Sequence, residues 1–265
     1  MRTIETLVAD KIASGMTINQ AESIVCQEII LNKISNSPLA DNVLIKGGVV
    51  MFNLTKNIRR STEDLDFDLL RYDISESSIR QFIKILNKSN PNYHVSLDDI
   101  KELKQDDYKG KRVYTIIEDA TRKINFKLDI GVHTLLAIEQ ERLCFSFGEE
   151  GDVFLRVNPP EQIFAEKAYS LAKHGPLTTR FKDIYDMYYL INNGKLNKYI
   201  VKNCFELLSI KGLYGINSIE DICEKVNDTL EDRQFLNLLH SSKDKWLDDD
   251  ISVVVKTIRD FIYSI

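Results

Sequence analysis

The stretch "IRRSTEDLDFDLLRYD", residues 58–73, sets Asp64, Asp66 and Asp68 at every second position, with Leu65, Phe67 and Leu69 between them. Strict polar and apolar alternation is the pattern of a β-strand with one buried face, because successive side chains on a strand point to opposite sides. Three carboxylates sharing a face repel one another, and a divalent cation or a cationic ligand against them relieves that repulsion. A solvated outer face, where water and salt screen the charges, is the alternative open to this segment taken alone. A calcium loop of the EF-hand kind does not fit: it needs Gly where Leu69 stands and Glu where Ser75 stands.

Two further features bear on that choice. Gly47 and Gly48 end the apolar run "VLIKGG" and precede a segment that reads as a helix, which lets backbone N–H groups approach an anion at a helix N-terminus. A Gly-Gly pair alone is also just a tight turn. Asp129 lies between Leu128 and Ile130 in "KLDIG", where an ionised carboxylate is costly unless it is paired or bound to metal. Its alternation with Lys127 and Asn125 leaves an ordinary polar face as the other reading. Taken together, a glycine turn, two alternate Asp on one strand and a third Asp on a neighbouring strand can hold a divalent metal against a triphosphate.

The elements that must position these groups can be traced along the chain. Ala21, Val25, Cys26, Ile29, Ile30 and Ile34 recur at helical spacing, and "TINQ" at 17–20 starts that helix with a capping box from Thr17 to Gln20. "VLIK" reads as a strand, "VVMFNL" as a helix, and "SESSIRQFIKILNK" as a helix with an apolar stripe of Ile79, Phe82, Ile83 and Leu86. "YHVSL", "KRVYTIIE" and "KINFKLDIGV" read as strands, with a hairpin turn at "YKGKR", residues 108–112. "VFLRVNPP" closes this half, and from Glu161 onward the pattern is helical, with breaks at "HGPLTTR", "NNGK", "IKGLYG" and "SSKDK". The expected class is α+β: a mixed-sheet core with flanking helices over residues 1–158, then a helical domain over 159–265.

A chain of 265 residues that is 43% hydrophobic can bury a sizeable core. A net charge of −5 argues against a general nucleic-acid coat while leaving room for a local basic patch, for which Lys46, Arg59, Arg60, Lys123 and Lys127 are candidates. Cys26, Cys144, Cys204 and Cys223 form no CxxC pair and the four histidines show no metal-ligand spacing, which points to reduced thiols in the cytoplasm and away from zinc. No stretch approaches the ~20 apolar residues of a membrane span.

Gly47-Gly48, then Arg60-Ser61-Thr62-Glu63-Asp64-Leu65-Asp66, then Asp129, resemble the polymerase-β-type nucleotidyltransferase superfamily. "LIKGG…RRSTEDLDFDL" with "PEQIFAEKAYSLAKHG…RFKDIYDMYYL" is similar to its AbiEii/AbiGii branch, the toxins of type IV toxin–antitoxin and phage-abortive-infection systems, over residues 40–192. The resemblance implies a nucleotidyltransferase fold and Mg²⁺, with Mn²⁺ as the substitute, on Asp64, Asp66 and Asp129. It implies catalytic roles for those three with Lys167 and Asp183, support from Asp186, and nucleotide contacts from Gly47, Gly48, Arg60, Thr62, Lys167 and Arg180. It further implies an NTP substrate, a macromolecular acceptor that in relatives can be the 3′ end of tRNA, and a cognate antitoxin. Residue reading alone leaves Lys167 as a solvated helix residue and sets Arg180, Asp183 and Asp186 on one helical face as an Arg–Asp pair. Two departures stand out: Val49 follows the glycines where the family usually has Thr, and Asp68 is an extra carboxylate, ~6.5 Å along the strand for each two-residue step and so peripheral to a small ion.

Three functions fit this pattern. The first is metal-dependent transfer of a nucleoside monophosphate from an NTP to an acceptor. A non-catalytic module that binds a nucleotide or partner on the same fold is the second, disfavoured because clustered charge is unfavourable to keep without a ligand. A DxD sugar-nucleotide transferase is the third, disfavoured because the glycine turn precedes the DxD and no long βαβ region does.

Overall fold

The computed structural model describes residues 2–103, 110–132, 138–147 and 151–265. These fall into two compact units divided between Val157 and Asn158, with Ile138 and Glu139 counted in the second. The first is α+β and the second is helical.

The first unit opens with α1 (Ile4–Ala13) and α2 (Ile18–Ser35). Thr17 caps α2 through the box with Gln20 that its sequence calls for. β1 (Val43–Lys46) runs into α3 (Gly47–Thr55), a 3₁₀ turn at Ile58–Arg60 follows, and β2 (Leu65–Leu69) carries the acidic stretch. Then come α4 (Glu76–Ser89), β3 (His94–Leu103), β4 (Gly110–Glu118), β5 (Lys123–Val132), β6 (Glu141–Ser146) and β7 (Asp152–Val157). One seven-stranded mixed sheet results, in the order β3-β4-β5-β2-β1-β7-β6. β2 lies at its middle, antiparallel to β1 and parallel to β5. The residues between the aspartates are packed inward: Leu65, Phe67 and Leu69 are buried, and Phe67 stacks on Phe82 of α4 with ring centroids 5.4 Å apart. Such offset aromatic pairs add to plain area burial and help to fix strand register.

Some elements differ from the reading of the sequence. β6 was not foreseen, because "ERLCFS" carries three polar residues in six and lies at the edge of the sheet, where only Phe145 is buried. The hairpin turn expected at 108–112 lies partly outside the described residues. The turn that is visible joins β4 to β5, where the Asp119 N–H donates to the Arg122 carbonyl at 3.1 Å. Asp68, on the face that the alternation leaves to polar residues, is buried rather than wet.

The second unit holds α5 (Pro160–His174), α6 (Phe181–Asn193), α7 (Lys198–Ser209), α8 (Ile219–Glu231), α9 (Arg233–Ser241) and α10 (Ile251–Tyr263). Ile163, Phe164, Ala168 and Leu171 form the buried face of α5, as their spacing predicts. Phe205, Phe235 and Trp246 fill the interior, and Phe164 meets Phe261 edge to face at 5.0 Å. All four cysteines are free thiols. Among the described residues no helix is long and apolar enough to cross a membrane.

One buried cation ties the helices of the first unit together. Lys33 of α2 is fully buried, and its ammonium donates to the carbonyls of Leu86 (3.3 Å) and Asn90 (2.5 Å) at the end of α4. Burial pushes its pKa down from the ordinary 10.5 to about 8. Because the unfolded chain binds this proton more tightly, it carries more protons than the folded chain between pH 8 and 10.5, so the term raises stability as pH climbs through that window. The expected result is a denaturation midpoint for the wild type that gains on that of Lys33→Met between pH 8 and 10. Parallel pH dependence in the two proteins would show that Lys33 stays solvated.

Candidate metal centre and active site

The centre of the first unit's sheet carries a row of four charged residues across four strands. Lys46 of β1 is opposite Asp66 of β2, Asp66 is beside Asp129 of β5, and Asp129 is opposite Arg112 of β4. Residues paired in this way project from the same face. The order is therefore cation, acid, acid, cation. Asp64 joins from the bend just before β2, and one carboxylate oxygen from each of Asp64, Asp66 and Asp129 lies within 4.8 Å of the other two. All three are half-buried. An all-carboxylate set of this size suits a hard divalent cation such as Mg²⁺ or Mn²⁺, and it offers none of the nitrogen or sulfur donors that zinc prefers.

The glycines are shaped by this cluster. Gly47 has φ +69°, in the left-handed region that side chains avoid, and a Cβ there would stand 2.2 Å from Asp66 Oδ2. A Cβ on Gly48 would stand 2.7 Å from Cβ of Thr62. The two glycines thus let Asp66 and Thr62 pack directly on the backbone at the start of α3, where the helix dipole favours negative charge. The N-cap residue of that helix, Lys46, makes no side-chain capping hydrogen bond. Val49, which follows the glycines, is buried.

The loop that delivers Asp64 is held from α2. The Gln27 amide donates to the carbonyls of Thr62 (2.8 Å) and Asp64 (3.1 Å), and the Gln20 amide donates to Ser61 Oγ (3.0 Å). Thr62 Oγ1 donates to Asp64 Oδ1 at 2.8 Å. Arg60, expected on phosphate, is only 3% exposed, a position that fits holding this turn from inside.

Counter-ions distinguish the carboxylates. Asp68 pairs with Lys46 at 2.7 Å. Lys123 pairs with Glu118 at 2.5 Å, so the basic rim drawn from the sequence is in part used up by neighbouring acids. Asp129 accepts a two-pronged bond from Arg112, Nε to Oδ1 at 2.8 Å and Nη2 to Oδ2 at 2.7 Å. This hydrogen bonding to Asp129 pushes the Arg112 guanidinium further above its ordinary pKa. Arg112, Gln20 and Gln27 are the site residues that sequence reasoning missed. A β4–β5 hairpin with Ala120 and Thr121 at its tip sets Arg112 opposite Asp129, so the pairing register was the signal that could have found the first of them.

The second unit holds the other expected residues. Lys167 of α5 is a half-buried ion-pair partner rather than a solvated side chain: its ammonium bonds to Asp183 and to Asp186, the latter at 2.8 Å. Asp186 is fully buried. Arg180 precedes α6 with φ −86° and ψ 54°, and its N–H donates to Thr178 Oγ1 at 3.2 Å. It is therefore not on the helical face that Asp183 and Asp186 share.

The family model "Nucleotidyl transferase AbiEii toxin, Type IV TA system" matches residues 29–245. No curated protein matches the chain. Among solved structures, JHP933 from Helicobacter pylori is 16% identical, with 94% of this chain and 92% of that one covered at a TM-score of 0.47. A nucleotidyltransferase described as putative, also from H. pylori, is 16% identical over 92% and 94% of the two chains, at 0.45. An antigenic nucleotidyltransferase-like protein from Paracoccidioides brasiliensis is 17% identical over 76% and 93%, at 0.39.

Two expectations follow from this geometry. Gly47→Ala must push Asp66 aside as well as adopt a strained φ, so it should cost about 1–3 kcal/mol in urea denaturation and weaken Mn²⁺ binding together. A variant that keeps wild-type Mn²⁺ affinity would refute the close packing of Asp66 on Gly47. Lys167→Met strips the buried Asp186 of its counter-ion and should cost about 3–5 kcal/mol. Asp183→Asn, which keeps the Lys167–Asp186 pair, should cost clearly less; equal losses would contradict the assignment of Asp186 as the buried partner.

Proposed function

The chain belongs to the AbiEii family of nucleotidyl transferase toxins of type IV toxin–antitoxin systems, and from that premise we propose that it transfers a nucleoside monophosphate from an NTP to a macromolecular acceptor at the carboxylate cluster. The observation that carries this reading is the convergence of Asp64, Asp66 and Asp129 on one face of the sheet, beside two glycines that admit no side chain.

In this reading Asp64, Asp66 and Asp129 hold Mg²⁺, or Mn²⁺ in its place. When bound, the metal supplies charge stabilisation to the attacking and leaving oxygens of an in-line displacement. The chain's own groups do the rest. Backbone N–H groups at Gly47 and Gly48, at the start of α3, meet phosphate oxygens, and the Thr62 hydroxyl lies beside them. The acceptor's hydroxyl oxygen bonds to the α-phosphorus while the bond from that phosphorus to the bridging β-phosphate oxygen breaks. Pyrophosphate leaves, and Asp129 takes the hydroxyl proton.

Lys167, as a compact point charge fixed by Asp183 and Asp186, is assigned to the triphosphate, with Asp183 as an active-site carboxylate and Arg180 as a further phosphate contact. The acceptor we favour is the 3′ end of an RNA, tRNA first, docked locally: a chain of net charge −5 is ill suited to long nonspecific contacts with a polyanion. The toxin assignment brings with it a cognate antitoxin as partner and a cytoplasmic setting.

Incubating the protein with each α-labelled NTP, Mg²⁺ and either total RNA or total protein should label the RNA fraction. Asp64→Asn and Asp66→Ala should each lower the transfer more than about a hundredfold with the folded state intact by circular dichroism. Undiminished transfer in either variant would remove the metal-site reading, and label appearing in protein would move the acceptor to that class.

A further inference from the structure

Asp129 has two suitors. Arg112 already takes both of its oxygens, at 2.8 and 2.7 Å, through a fork whose planar geometry matches a carboxylate. Asp129 is also one of the three carboxylates whose oxygens converge within 4.8 Å. A divalent ion on either Asp129 oxygen would sit at about 2.1 Å from it, and thus no more than about 5 Å from a guanidinium nitrogen bonded to that same oxygen. Two cations at that separation, half-shielded from water, repel strongly.

The two partners are not equally fixed. The Asp129 side chain is 14% exposed and stands in the middle of the sheet, between β2 and β4. The Arg112 side chain is 36% exposed, on a long flexible stem that can carry its charge into solvent without moving the strand. Its counterpart at the other end of the row, Lys46, pairs with Asp68, a carboxylate outside the converging set.

Resting on the metal-site reading above, we infer that Arg112 is a positioning residue that stands in for the metal: it holds Asp129 in place in the metal-free protein and gives up at least one of its two bonds when a divalent ion binds. Arg112 then lowers the affinity of the site for bare metal and keeps the empty cluster from flying apart.

Mn²⁺ titration by calorimetry of the wild type, Arg112→Gln and Arg112→Lys tests this. Arg112→Gln should bind Mn²⁺ tighter, on the order of tenfold, while its metal-free melting temperature falls and its rise on adding Mn²⁺ grows. Arg112→Lys, which keeps a charge but not the fork, should fall between. Unchanged or weaker Mn²⁺ binding in Arg112→Gln, with the wild type binding normally, would overturn the inference and leave the metal site standing. Absence of Mn²⁺ binding in every protein would overturn both. Should Arg112→Gln fail to fold, the wild type alone decides: the ¹⁵Nε–H signal of Arg112 should shift on saturation with diamagnetic Mg²⁺, and a signal that stays put refutes the exchange.

Discussion

Repulsion among four carboxylates packed into adjoining strands is the constraint that the first unit answers at every level. Asp66, Asp68 and Asp129 sit on β2 and β5 at the middle of a seven-stranded sheet, with Asp64 at the entry to β2. Left alone, such a group would favour protonation or local unfolding. The sequence places compensation on each side. Lys46 approaches from β1, Arg112 from β4, and the dipole of α3 meets Asp66 across a glycine that has no side chain to keep it away. Gln27 then fixes the backbone that presents Asp64. Arg112 lies 17 residues from Asp129 in sequence and Gln27 lies 37 from Asp64, and only the fold brings them together.

How much of this could be read in advance depended on whether the signal was local. The capping box of Thr17, the apolar stripe of α4 and the buried face of α5 are local patterns that appear in the structure as their spacing predicts, and the alternation of β2 gives a strand with Leu65, Phe67 and Leu69 buried, though Asp68 is buried with them and Asp64 stands just before it. The near-neighbour order of the glycines, Asp64, Asp66 and Asp129 pointed to the cluster, and their convergence is now visible. Pairings across strands and between helices were not local, and those were missed. Arg112 reads as one more polar residue until β4 is registered against β5, and Lys167 reads as a solvated lysine until α6 is packed beside α5. The polar edge strand β6 lacked the apolar alternation that marked the others.

Asp68 shows how register assigns different roles to similar residues. It shares its strand and its spacing with Asp66, yet it is buried and bonded to Lys46. Lys46 stands opposite Asp66 and reaches diagonally to Asp68, a distance that a long side chain spans easily. The pair neutralises the carboxylate that a small ion at Asp64 and Asp66 could not share. One lysine therefore does for Asp68 what a metal is proposed to do for the other three.

Desolvation separates the permanent ion pairs from the exchangeable one. Asp186 lies in the second unit's interior, and it cannot lose Lys167 without leaving a charge stranded away from water. Such a pair is a fixed part of the fold, whatever else the lysine touches. Arg112 keeps a third of its side chain in solvent, so breaking its bonds to Asp129 leaves a hydrated guanidinium on one side and, on the other, a carboxylate that needs a new cation. The penalty of the broken pair thus falls almost wholly on Asp129. A divalent ion removes that penalty and an empty site does not, which makes the occupancy of Asp129 by Arg112 or by metal a single equilibrium rather than two independent ones.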